Sequence, residues 1–205
     1  MNDDFGFTYL LNELAKESKV APSEIVRLAG QVSYQESKGS PTAVQIVSGG
    51  NTENPVTGPG RGMYQMEGAD ASNYTGDAVA RLKRFYRAKG TVAPDWVQNL
   101  PENFDSAMLT PEQQMMLFMA RNTKWGSSDK DFKGTTFADI SKKDFDPVDW
   151  WAKYHKRSGV TPEEKSRMYA EQNIRKNNVS KYVSADELFG TPEYFNRFGG
   201  YTDIT

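Results

Sequence analysis

Two short stretches hold the residues best suited to chemistry: Tyr34-Gln35-Glu36-Ser37-Lys38-Gly39 and, after a loop, Gly58-Pro59-Gly60-Arg61-Gly62-Met63-Tyr64-Gln65-Met66-Glu67. Upstream of the first, Ile25, Leu28, Ala29 and Val32 recur at helical spacing, and the next position on that face is Glu36. A carboxylate is therefore expected part-way into an apolar environment. Burial disfavours its ionised form, and the negative end of a helix that stops near Gly39 acts in the same direction. Both effects predict a raised pKa and a carboxylic acid able to donate a proton. In the second stretch, Gly58, Gly60 and Gly62 around Pro59 permit a tight chain reversal and a close backbone approach, while Arg61, Tyr64 and Gln65 offer polar groups in fixed geometry. Such a turn suits a polar, ring-shaped ligand. It does not suit phosphate, because no Gly-Lys-Ser/Thr follows the glycines. Taken singly, the first stretch also reads as a helix end turning into water and the second as a hairpin turn.

Composition removes most other chemistries. With 0 Cys and 1 His, cysteine nucleophiles and disulfide frameworks are impossible. A protein zinc site takes two or three His or Cys ligands, which His155 alone does not supply, so no metal site is expected. Acids number 27 against 25 basic residues, a net charge of −2. That balance gives no strong field for nucleic acid, and it leaves acid catalysis by Asp or Glu as the leading chemistry. The amino terminus MNDDFGFTYLLNELAKESK carries two acids where an export signal would be basic, so no signal peptide is expected. No apolar run approaches the length of a membrane-spanning segment.

The elements that must carry these residues read as mostly helical. Phe7, Leu10, Leu11 and Leu14 predict a helix over about 7–18, and Pro22 suits the first turn of a second over about 22–37. Gly39 to Gly62, with β-branched Val44-Gln45-Ile46-Val47, reads as a loop-and-hairpin insert. A third helix is expected from Asp77 to Lys89, its basic residues Arg81, Lys83, Arg84, Arg87 and Lys89 forming a solvated face. Thr110-Pro111-Glu112-Gln113 combines an N-cap, a first-turn proline and a capping-box Gln ahead of Met115 to Met119, predicting a buried central helix whose methionines fill core gaps. Asp146-Pro147 and Thr161-Pro162-Glu163-Glu164 start two more helices, and Ser184 to Gly190 forms a short turn. Trp150, Trp151 and His155 read first as packed or solvated helix residues. With no repeat and no low-complexity linker, one domain over 1–205 is expected.

The order Glu-Ser-x-Gly, a variable insert, then Gly-x-Gly-Met-x-Gln resembles the superfamily of soluble lytic transglycosylases and goose-type lysozymes. Residues 58–67 are more similar still to the lysozyme-like proteins of tailed-phage particles, which carry Gly-Pro-x-Arg-Gly-x-x-Gln-x-Glu. The resemblance covers about residues 22–70. It implies an α+β, predominantly α-helical, two-lobed lysozyme-like fold with a small β-hairpin insert and a peptidoglycan glycan strand in the cleft. It also implies that Glu36 is the proton donor, that Ser37, Met63 and Gln65 match residues around the substrate, and that Tyr154 matches a late tyrosine near the acid. Here His155-Lys156-Arg157 follow Tyr154, where the transglycosylases have Asn-Ala-Gly.

The resemblance therefore implies an enzyme without cofactor that cleaves the β-1,4 bond between MurNAc and GlcNAc: a phage lytic transglycosylase or muramidase. A glycosidase normally pairs two carboxylates, about 5–5.5 Å apart for retention and about 6.5–9.5 Å for inversion. Glu53, Glu67, Asp70 and Asp77 lie near the motif, each also readable as an ordinary surface acid. In the transglycosylase-like route one glutamate protonates the glycosidic oxygen and then activates the MurNAc 6-hydroxyl; goose-type hydrolysis uses water. Made in a host cytoplasm and carried in the virion, such a protein would have other virion proteins as partners. A freely released endolysin would share its chemistry, and a virion structural or assembly protein of the same fold is the alternative.

Overall fold

Helical periodicity and capping account for the observed elements one by one. The computed structural model describes residues 6–46, 56–101, 103–123 and 134–154, with 161–163, 166 and 170. In chain order these contain α1 (Phe7–Ser18), α2 (Pro22–Ser37), β1 (Val44–Ile46), β2 (Thr57–Arg61), α3 (Tyr74–Ala88), α4 (Asp95–Asn99), a 3-10 turn at Ser106–Met108, α5 (Pro111–Arg121), a second 3-10 turn at Thr136–Ser141, and α6 (Pro147–Tyr154). The described part is thus α+β and mainly α, as expected. The chain divides into two compact units, Met1–Ala138 and Asp139–Thr205.

In the first unit, α1 turns Phe7, Leu10, Leu11 and Leu14 inward, and α2 does the same with Ile25, Leu28, Ala29 and Val32. Both helices end on a left-handed residue, Lys19 at φ 56° and Lys38 at φ 58°, whose amides return to carbonyls of the last turn. The centre is α5. Thr110 accepts from the Gln113 amide while the Gln113 side chain accepts from the Thr110 amide at 3.0 Å, the reciprocal cap read from the sequence. Every residue from Gln114 to Ala120 is buried, and α5 packs against α3, α1 and α2. Met115, Met116 and Met119 are core, and Phe118 stacks on Tyr64 with ring centroids 4.4 Å apart. Each such fully buried Leu, Met or Phe contributes about 1.5–3 kcal/mol over an exposed one.

The hairpin forms where it was expected: β1 runs antiparallel to β2, pairing Val44 with Arg61 and Ile46 with Thr57, with an irregular register between the pairs. Its connecting residues 47–55 lie outside the described residues.

Two expectations about α3 need correction. The helix begins at Tyr74 rather than Asp77. Its basic residues are not all a solvated face: Lys89 sits 2.6 Å from Glu13 and 2.7 Å from Glu17 on α1. Arg81 pairs with Asp77 at 3.1 Å and donates to the Thr123 carbonyl. Burying the stems of these long side chains brings their charges to acids on neighbouring turns. Lys83 is half-buried, whereas Arg84 and Arg87 are exposed.

In the second unit, Asp146 caps α6 by accepting from the amides of Val148 and Asp149 at 2.7 and 3.1 Å. Trp150 and Trp151 are buried, as a core reading requires. His155, most of the helix expected after Pro162, and the turn at 184–190 lie outside the described residues.

Candidate active site

Glu36 stands in the last turn of α2, half-buried. Helical spacing sets it above Val32, and the left-handed Lys38 and Gly39 (φ 78°) end the helix two residues later. The next residue, Ser37, fastens this helix end to the glycine-rich turn: its hydroxyl donates to the Met63 carbonyl at 2.9 Å and lies 3.2 Å from the Ser33 carbonyl. Stretches 26 residues apart in sequence are thereby brought into contact.

The turn itself is built by backbone pairing. Arg61 and Met66 exchange both amide–carbonyl bonds, at 3.1 and 2.8 Å, closing a tight reversal over Gly62 to Gln65. Gly62 has φ +72° and Gln65 φ +46°. The Gln65 side chain is half-buried and donates from Nε2 to the Gly62 carbonyl at 2.9 Å. The Arg61 guanidinium donates to the carbonyls of Gly58 and Gly60 and lies 3.8 Å from Asp105, so it braces the hairpin.

Behind the turn is a residue that sequence reading missed. Gln114 on α5 is fully buried. Its Oε1 accepts from the Met63 amide at 2.7 Å, and its Nε2 donates to the carbonyls of Pro41 and Leu109, each at 2.9 Å. Gly62 approaches so closely that a Cβ there would stand 2.3 Å from Gln114 Oε1. Buried Ser106 adds a second strut, donating to the Arg61 carbonyl at 2.9 Å. In sequence Gln114 merely follows Glu112 and Gln113 and stands just before the apolar run 115–120, so residue type gives no signal for it.

Glu36 also bears on a buried hydroxyl. The Tyr74 hydroxyl, at the start of α3, is shielded from solvent. Burial pushes its pKa far above the ordinary tyrosine value; Arg121 opposes this, Glu36 and Asp77 reinforce it, and Arg81 opposes it again. Glu36 therefore lies within electrostatic reach of a hydroxyl that stays protonated. Arg121 stacks over the Tyr74 ring, 5.3 Å from its centroid, and pairs with Asp77 at 3.1 Å. Asp77 is thus held between two arginines.

Of the residues named from sequence, Arg61, Met63, Tyr64 and Gln65 share this turn, Ser37 bonds to it, and Glu36 is the neighbour of Ser37 at the end of α2. Tyr64 is corrected in role: it is 2% exposed with its ring against Phe118, so it anchors the turn in the core instead of offering a polar group to a ligand. The Met63 side chain is buried as well. Among the acids considered as a second carboxylate, Glu67 is half-buried, Asp70 is exposed, Asp77 is ion-paired and Glu53 lies outside the described residues. Tyr154 belongs to the second unit, where its hydroxyl donates to Asp139 at 2.9 Å. Among the described residues no group of three or more His, Asp or Glu could hold a metal ion, and no helix is long and apolar enough to cross a membrane. No protein-family model matches the chain, and neither a curated protein nor a solved structure matches it.

Proposed function

We propose that the chain is a peptidoglycan-cleaving glycosidase with a two-lobed lysozyme-like fold, cutting the β-1,4 bond between MurNAc and GlcNAc as a lytic transglycosylase or muramidase of a tailed-phage particle. The observation that carries this reading is the Ser37-to-Met63 bond, which fastens the end of α2, where half-buried Glu36 stands, to the Gly58–Met66 turn. A proton donor beside a rigid, backbone-rich turn is what cleavage of a sugar linkage needs.

In the proposed reaction the Glu36 carboxylic acid gives its proton to the glycosidic oxygen as the bond from that oxygen to the anomeric carbon breaks. The resulting carboxylate then takes a proton from the nucleophile that closes on the anomeric carbon. If that nucleophile is the MurNAc 6-hydroxyl, the product is a 1,6-anhydro sugar; if it is water, a reducing end. Glu36 starts the cycle protonated and ends it so. Gln65 and the carbonyls of the turn are the groups on hand to hold the glycan, and Ser37 ties the end of α2 to the turn.

Glu36→Gln should remain folded and lose at least about a hundredfold in muralytic rate, the contribution expected of a general acid. Turbidity clearing of purified peptidoglycan measures it. Equal clearing by wild type and variant would remove Glu36 from the mechanism. A wild-type protein that never clears would favour the alternative, a virion structural or assembly protein. Mass spectrometry of the released muropeptides separates anhydro from reducing ends, and proteomics of purified particles separates a virion component from a free endolysin.

A further inference from the structure

We propose that Gln114 is a positioning residue for this chemistry: a single buried amide sets where the Gly62–Gln65 turn stands against the end of α2 that carries Glu36. This role rests on the glycosidase reading and extends it to a residue outside the two motifs.

A buried primary amide has two donors and one carbonyl acceptor, and leaving any of them unmatched away from water costs about 1–3 kcal/mol. In Gln114 all three are matched by backbone: the Met63 amide, and the Pro41 and Leu109 carbonyls. Those partners belong to three different segments: the turn, the link between α2 and β1, and the entry to α5. One rigid planar group therefore ties them at 2.7 to 2.9 Å. No other residue type matches this demand: Glu lacks the donors when ionised, Asn is one methylene short, and Met has the length without the polarity.

The tie also bears on Glu36. Met63 receives Gln114 through its amide and Ser37 through its carbonyl, so one peptide residue is gripped from the α5 side and from the α2 side at once. Gly62, immediately before it, has no Cβ to push Gln114 away. The position of the turn against the end of α2 is thus held by Gln114 on one side and Ser37 on the other. A displacement of about 1 Å in a positioned group costs on the order of a hundredfold in rate.

The test compares Gln114→Met and Gln114→Glu with wild type on soluble glycan oligomers prepared from peptidoglycan, at a temperature where circular dichroism shows each variant folded. Gln114→Met keeps length and bulk and loses all three bonds; kcat should fall about ten- to hundredfold while KM changes less than about threefold. Gln114→Glu is a conditional rescue. Its carboxylic acid accepts from Met63 and donates to one carbonyl, whereas its carboxylate faces two carbonyls, so kcat relative to wild type should rise at least about fivefold between pH 8 and pH 5. A folded Gln114→Met with kcat within about twofold of wild type overturns the proposal. So does a Gln114→Glu whose ratio to wild type is flat with pH, which keeps the test decisive if Gln114→Met does not fold. An inactive wild type is the failure of the glycosidase reading itself, and a Glu36→Gln as active as wild type removes Glu36 from the mechanism; either takes this inference with it.

Discussion

At Gly62 two separate constraints coincide, and a control exists to separate them. Its φ of +72° favours glycine, and a Cβ would stand 2.3 Å from an amide oxygen that is already holding Met63. Gly90 has nearly the same backbone, φ +67°, but nothing within 4 Å of a Cβ. Gly90→Ala should therefore cost about 1 kcal/mol, the left-handed penalty alone. Gly62→Ala should cost about 2–4 kcal/mol, because Gln114 is enclosed and moving it breaks a buried hydrogen bond as well. Chemical denaturation of both variants measures the difference, and equal losses would mean that Gln114 yields freely. At this scale the sequence was legible only where a residue's partner is near in the chain. Glu36 followed from helical spacing. Gln114 did not, since two of its partners lie 51 and 73 residues away and are backbone atoms, which leave no mark in residue type. Tyr64 misled because a tyrosine in a turn has the same letter whether its ring faces a ligand or Phe118.

Among the elements, α5 shows how a start signal and a buried face cooperate. Both bonds of the Thr110–Gln113 capping box are made, and the helix they begin is the one whose every residue from 114 to 120 is buried. Thr110→Ala should destabilise by about 1 kcal/mol through the lost cap. Because the helix it opens carries Gln114 one turn in, the variant should also raise amide exchange at Met63, read by hydrogen exchange and mass spectrometry. Unchanged exchange there would show the helix start and the turn to be independent. The bounds of α1, α2 and α5 were readable because amphipathic period and caps agree. The start of α3 was not: Asn73 is of a type that favours N-caps, yet it adopts φ 52° and makes no side-chain cap, so type and geometry part at this helix start. The five-residue α4 buries only Val97, too little for a period to register.

At the scale of the whole molecule, Lys89, Tyr74 and Asp139 among the described residues give stability a stated dependence on pH. Burial pulls the Lys89 pKa down, but hydrogen bonds to Glu13 and Glu17 outweigh it and hold the group above the usual lysine range. Tyr74 is raised by burial. Both folded values lie above the unfolded ones, so both contributions are complete below about pH 10 and disappear as pH climbs through the folded values. In the second unit Asp139 goes the other way. Burial would raise it, yet hydrogen bonds from Lys142 and Tyr154 bring it below the ordinary range. Its contribution is complete above about pH 4 and disappears as pH falls through its lower folded value. Thermal melts from about pH 3 to about pH 11 should therefore show a plateau with two shoulders. Lys89→Met should lower the plateau and flatten the alkaline limb; an unaltered limb would mean that the Glu13–Lys89–Glu17 contact does not persist in solution.

The grip that Gln114 exerts has a consequence for how this protein can drift over generations. It takes hold of positions 41 and 109 by their carbonyl oxygens, atoms that nearly any substitution preserves, so those two side chains are free to wander without loosening it. Position 114 has no such latitude. Among descendants of a common ancestor, variation should be plentiful at both ends of the tether and all but frozen at its knot.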